Sequence, residues 1–99
     1  MKHTPTPWLQ SSATVYALNE VGSNRFFLNV QRGFSNGERT SSEECSANAK
    51  LITQCVNHFD ALVEALEKVV NSASPHPEEN PSMYSAWREA RAALKLAKP

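Results

Sequence analysis

The spacing of apolar positions changes character near residue 40. Before it, apolar residues sit in short runs broken by turn residues. Ala13-Thr14-Val15-Tyr16-Ala17-Leu18 is rich in β-formers, and Asn19-Glu20-Val21-Gly22-Ser23-Asn24 then supplies turn residues. In Arg25-Phe26-Phe27-Leu28-Asn29-Val30-Gln31, the side chains of Phe26, Leu28 and Val30 share one face, while Phe27, Asn29 and Gln31 share the other. That alternation is the mark of a half-buried strand. The pattern predicts an antiparallel hairpin, or a three-stranded meander if the Trp8-Leu9-Gln10 segment behind Pro5 and Pro7 joins it. Gly33-Phe34-Ser35-Asn36-Gly37 reads as a closing loop.

Beyond residue 40 the period becomes helical. Ser41-Ser42-Glu43-Glu44 fits a capping box. From there Cys45, Ala49, Ile52, Val56, Phe59, Val63, Leu66 and Val70 recur at alternating steps of four and three, the repeat of a helix packed lengthwise on another. Leu51, Cys55, Leu62 and Val69 widen the apolar arc to roughly 160°, with Lys50, Gln54, Asn57, Glu64 and Lys68 on the opposite side. One long helix is expected over 42–72, within a helical segment 41–73. Asn48 falls inside the apolar arc, so it is expected to tie the helix to a strand backbone or to fix a subunit register. Ser74-Pro75-His76-Pro77 interrupts the helix, making 74–80 a linker. Asn80-Pro81 supplies an N-cap and a proline at the first helical position, and Met83, Trp87, Ala90, Leu94 and Ala97 again step by four and three. The expected fold is α+β in a single domain over 1–99. A short antiparallel hairpin or meander packs on a long helix, and a second helix at 81–97 completes an αα-hairpin. The helical seams exceed the needs of one small monomer. A homo-oligomer is therefore expected, with Asn48, Ile52, Val56, Phe59 and Trp87 at its interface.

Composition narrows the function classes. The 99 residues carry ten Lys+Arg against ten Asp+Glu, a formal charge of zero. That argues against a coat for nucleic acid or anionic membrane. No apolar run approaches the ~20 residues of a membrane span, and the N-terminus lacks the apolar stretch of a signal peptide, so the cytoplasm is the expected location. The charge is uneven: residues 1–40 sum to +2, 41–74 to −3 and 75–99 to +1. The strand region is thus the natural place for an anionic ligand.

Reactive chemistry is sparse. His3, His58 and His76 are scattered, and Cys45 and Cys55 lack a paired-ligand spacing, so no metal site is expected. Ten residues apart on one helix, the two cysteines lie ~15 Å apart, too far to bridge. They read as small buried hydrophobes, a bridge between subunits being the alternative. Cys55 and His58 could touch on a helix, but nothing marks an oxyanion hole. Gly22, Gly33 and Gly37 match no phosphate loop. Neither a catalytic site nor a cofactor is expected. Trp8, Tyr16, Arg25, Arg32 and Arg39, with Phe27 and Phe34 nearby, supply the aromatic planes and guanidinium forks that a nucleobase with phosphates requires.

His3-Thr4-Pro5-Thr6-Pro7-Trp8 resembles the HTPGPW start of a family of small bacteriophage and prophage accessory proteins. The family's second hallmark, a helix opening NAxLI and continuing LxeAL, is similar to Asn48-Ala49-Lys50-Leu51-Ile52 and Leu62-Val63-Glu64-Ala65-Leu66. The likeness covers about two thirds of the chain. Thr6 stands where the family often has Gly, and Asn57-His58 where it often has Ala-Pro. The resemblance implies a phage-encoded protein acting in the host cytoplasm. Small phage proteins of this size commonly antagonise host defence as symmetric oligomers. The expected function is non-enzymatic sequestration of a nucleotide-derived immune signal. Inhibition of a host effector by surface binding is the alternative, and a nucleic-acid-binding regulator a third class that zero net charge disfavours.

Overall fold

The computed structural model describes residues 3–72 and 74–98. Met1, Lys2, Ala73 and Pro99 lie outside the described residues, and with them the expected helix end at Ala73 and the charge of Lys2. Five strands precede two helices: β1 (Leu9–Ser11), β2 (Thr14–Leu18), β3 (Asn24–Asn29), β4 (Phe34–Ser35), β5 (Glu38–Arg39), α1 (Ser42–Ser72) and α2 (Pro81–Ala97). The architecture is α+β, as the patterning predicts. The chain divides into two compact units between His58 and Phe59, and α1 runs through both.

In the first unit β1, β2 and β3 form the meander, antiparallel in the order β1-β2-β3. The β2–β3 connection is closed by Asn19, whose side-chain Oδ1 accepts from the backbone N–H groups of Val21 and Ser23. Gly22 sits at φ +83 within that turn, a conformation that costs a residue with a Cβ. Val15 and Ala17 on β2 are buried, as are Cys45 and Ala49 on α1. These four form the core of the unit. Gln10 Nε2 adds a cross-link, donating to the Ser46 carbonyl at 3.2 Å.

Three expectations need correction here. Residues 33–37 are not a plain loop, because β4 and β5 form a second hairpin in which Phe34 pairs with Arg39 and Ser35 with Glu38. Asn36 at φ +52 and Gly37 at φ +80 place both turn residues in the left-handed region, the two-residue hairpin that Asn-Gly favours. The strand expected to run on to Gln31 is β3 and ends at Asn29, and Leu28 is exposed although it shares a face with half-buried Phe26. Asn48 is exposed, so it does not tie the helix to a strand.

Asn57 makes that tie instead, from what the periodicity reads as the polar side. Its Oδ1 accepts from the Trp8 backbone N–H at 2.7 Å, and its Nδ2 donates to the Trp8 carbonyl at 2.9 Å. The face of α1 that the sheet covers is centred on Cys45, Ala49 and Val56 and reaches round to Asn57. The opposite edge of the apolar arc is left open: Leu51, Leu62 and Val69 are 59%, 68% and 66% exposed. Cys55, on the same edge, is exposed, while Cys45 is buried as expected.

Both helices are capped at their N-termini by side chains. Ser41 Oγ accepts from the Glu44 N–H at 3.1 Å, and Glu43 and Glu44 complement the positive end of α1. Asn80 caps α2 by accepting from the Met83 N–H, with Pro81 in the first helical turn. In the second unit α2 meets α1 around Glu67–Asn71, and Val70 and Leu94 are buried. Trp87 Nε1 donates to the Val70 carbonyl at 3.0 Å, and Lys98 pairs with Glu67 at 2.6 Å. The last carbonyls of a helix lack intrahelical partners, so Trp87 satisfies one of them, and Ser72 Oγ satisfies that of Val69.

Two stability measurements check this account. Asn57→Ala leaves both Trp8 backbone groups without their partner and is expected to cost roughly 2 kcal/mol in urea unfolding, whereas Asn48→Ala changes stability by less than about 0.5 kcal/mol. Equal effects would contradict the assignment. Gly37→Val meets no neighbouring atom but must hold a left-handed backbone. It is expected to lower stability by about 1 kcal/mol through conformation alone.

Candidate ligand-binding surface

The residues that sequence patterning assigns to a ligand are divided between different structural tasks. Trp8 is half-buried; its ring meets Phe26 edge-on with centroids 4.8 Å apart, and its indole N–H donates to the Thr4 carbonyl at 3.0 Å. With its backbone held by Asn57, every polar atom of Trp8 is engaged within the chain. Tyr16 pairs across the ladder with Phe27, which is 64% exposed. Arg25 is exposed on β3, the extra residue at the register shift between the Ala17–Phe26 and Leu18–Asn24 pairs. Arg39 lies on β5 and Arg32 flanks the β4–β5 hairpin; Arg32 Nε donates to the Thr40 carbonyl at 2.6 Å, and exposed Arg39 pairs with exposed Phe34. Tyr16 and Arg25 thus lie on the three-stranded sheet, Arg39 on the separate hairpin and Arg32 beside it.

Of the residues assigned to an oligomer interface, Asn48 and Phe59 are exposed, Ile52 and Val56 are half-buried on α1, and Trp87 is half-buried and donates to the Val70 carbonyl.

An arrangement of aromatic planes with guanidinium groups occurs elsewhere, on α2. Residues three and four apart on a helix are neighbours, and Tyr84, Trp87, Arg88 and Arg91 have that spacing. Tyr84 and Trp87 stack with centroids 6.0 Å apart and planes inclined by 25°. The Arg88 guanidinium carbon lies 5.9 Å from the centre of the Tyr84 ring, and that of Arg91 lies 4.8 Å from the centre of the Trp87 ring. Cation–π contact orders a guanidinium without consuming its N–H donors. Among the described residues no carboxylate lies within ion-pair distance of either arginine. Both therefore remain available to an anion.

Open grooves flank this ladder. One of 320 Å³ is lined by Tyr84, Ser85, Arg88, Glu89 and Ala92, a size at the lower end for small-molecule sites. A second, of 210 Å³, includes Arg91, Lys95 and Lys98 opposite Glu67. A separate groove of 410 Å³ is lined only by α1 residues, Glu64, Glu67, Lys68, Asn71 and Ser72, an acidic setting unsuited to a phosphate. The signal for the α2 surface is present in the sequence as i, i+3, i+4 spacing, but the local charge of residues 75–99 is only +1 and does not draw attention to it.

Among the described residues, no group of three or more His, Cys, Asp or Glu side chains could hold a metal ion, and no helix is long and apolar enough to cross a membrane. Cys55 and His58 are both exposed. The fold and surface define a small α+β protein with an aromatic–arginine helix face. No family model, curated protein or solved structure matches the chain.

Trp87 anchors the ladder, so its two roles are separable. Trp87→Phe keeps a ring under Arg91 but loses the bond to Val70, and is expected to cost about 1 kcal/mol, a fall of roughly 4–8 °C in Tm. Trp87→Ala removes the packing too and is expected to cost roughly 3 kcal/mol. A Phe variant as stable as the parent would show that the indole bond contributes nothing.

Proposed function

We propose that the chain is a phage-encoded, non-enzymatic anti-defence protein that works in the host cytoplasm by sequestering a nucleotide-derived immune signal on the α2 face. The observation that carries this reading is the Tyr84–Trp87 pair with Arg88 and Arg91 laid against its rings. A nucleotide is a flat base joined to phosphate. Rings and guanidinium planes hold the base by stacking, and guanidinium N–H groups donate to the phosphate oxygens as a fork. Sequestration requires stoichiometric binding and no reacting group. The α2 face suits this better than the strand region, where Trp8 and Arg32 already serve other groups of the chain. Because the groove beside Tyr84 is open, a second copy closing over it would withdraw the signal from its receptor, so self-association through the helices is part of the proposal.

Calorimetry against cyclic oligonucleotides and NAD-derived signals tests it. Binding at micromolar protein is expected, abolished by Arg88→Gln with Arg91→Gln and unchanged by Arg32→Gln with Arg39→Gln. Absence of binding overturns the proposal. Loss only in the strand-region pair moves the site there.

A second reading, surface inhibition of a host defence effector, is favoured by the exposed row Leu51, Leu62 and Val69 on α1. Exposed apolar rows of this kind mark protein-binding faces. It requires a pull-down that recovers one effector, loses it with Leu62→Asp, and retains no small molecule.

A further inference from the structure

The cations of the α2 face do not stop at the ladder. Arg88, Arg91, Lys95 and Lys98 are all exposed and follow one another by three, four and three residues, so they form one stripe along the helix. At ~1.5 Å per residue they recur every ~4.5 to ~6 Å, and the face from Tyr84 to Lys98 is ~21 Å long. Glu89, the sole acidic residue of α2, lies about 100° round from Arg88, off the stripe. Lys98 is committed to Glu67, which leaves Arg88, Arg91 and Lys95 without a carboxylate partner among the described residues. A compact mononucleotide meets the two arginines of the ladder and leaves the rest of the stripe unused.

We propose that the ligand of this face is a linear single-stranded oligonucleotide running along α2, its phosphates on Arg88, Arg91 and Lys95 and a base at the Tyr84–Trp87 end. This rests on the reading that α2 is the binding surface, and names the ligand class it takes. Charge and stacking together are the physical reason. Arg88, Arg91 and Lys95 set long, flexible cationic side chains along one line, which suits a row of phosphates. At one end of the stripe the aromatic rings and their guanidiniums offer a planar partner to an unstacked base. A single strand can turn a base out onto them, whereas the bases of a duplex stay paired and stacked. The zero net charge of the chain bears on extended coats for polyanions and does not reach a strip this short.

Fluorescence anisotropy with a labelled thymidine oligonucleotide of about twelve residues tests the proposal on the full-length chain. Between ~50 and ~200 mM salt, three phosphate contacts predict that log K falls against log salt with a slope of about −2. Arg88→Gln with Arg91→Gln and Lys95→Gln is expected to abolish binding, with the helical circular-dichroism signal retained as a check on folding. Arg88→Lys with Arg91→Lys keeps the charges, so it is expected to hold the slope while weakening binding through lost stacking. A cyclic dinucleotide is expected to compete at least about tenfold more weakly than the unlabelled oligonucleotide, because it spans fewer cations. Equal or better competition by the cyclic dinucleotide overturns the linear-strand proposal and leaves the compact-signal reading standing. Binding of a labelled polyglutamate as tight as that of the oligonucleotide overturns it in favour of an acidic protein partner. If no nucleotide of either kind binds, both readings fail together.

Discussion

The first unit depends on one side chain meeting one peptide. Asn57, on α1, presents an acceptor to the Trp8 N–H and a donor to the Trp8 carbonyl, closing a loop of 49 residues. A primary amide carries its acceptor and its donor on separate atoms side by side, so it can satisfy both backbone groups at once. The bond fixes how the segment entering β1 lies on the helix, and through the β1–β2–β3 register it fixes which face of the sheet is turned inward. Val15 and Ala17 then close on Cys45 and Ala49. A core of so few buried side chains supplies little apolar stabilisation on its own, so a half-buried polar clamp bears a large share of the specificity.

The same clamp determines what is left uncovered. Within the first unit the side of α1 that carries Asn57 is engaged, while Leu51 on the other edge of the apolar arc is exposed. The clamp also occupies Trp8 fully, which removes from the ligand surface the aromatic residue most prominent in the sequence. In the second unit a related economy holds: the Trp87 indole N–H caps the end of α1 while its ring supports Arg91. One side chain therefore holds the helix pair together and orders the face on which the proposed function rests.

Much of the fold is legible in the sequence because its signals are local. The capping serine at 41, the Asn80-Pro81 restart and the four–three apolar steps are all settled within one or two turns of helix. The Asn36-Gly37 turn is equally local, but the flanking strands are only two residues long and too short for any alternation to show. Asn57 is not legible, since its partner is 49 residues away and its neighbours on the helix are polar. Asn48 carries the stronger periodic signal and has no such partner, because the sheet covers α1 off the centre of its apolar arc. The α2 ladder lies between these cases. Its spacing can be read, but the stacking of Tyr84 on Trp87 and the placement of Arg88 and Arg91 against those rings are properties of side-chain conformation.

The central claim is that an anionic, base-bearing ligand is held by α2 and not by the strand region. Nuclear magnetic resonance of the arginine Nε–H and tryptophan indole groups reports on both places in one titration. With a nucleotide ligand added, the account predicts shifts at Arg88, Arg91 and the Trp87 indole, while Arg32, Arg39 and the Trp8 indole stay in place. Shifts confined to Arg32, Arg39 and Trp8 would contradict it.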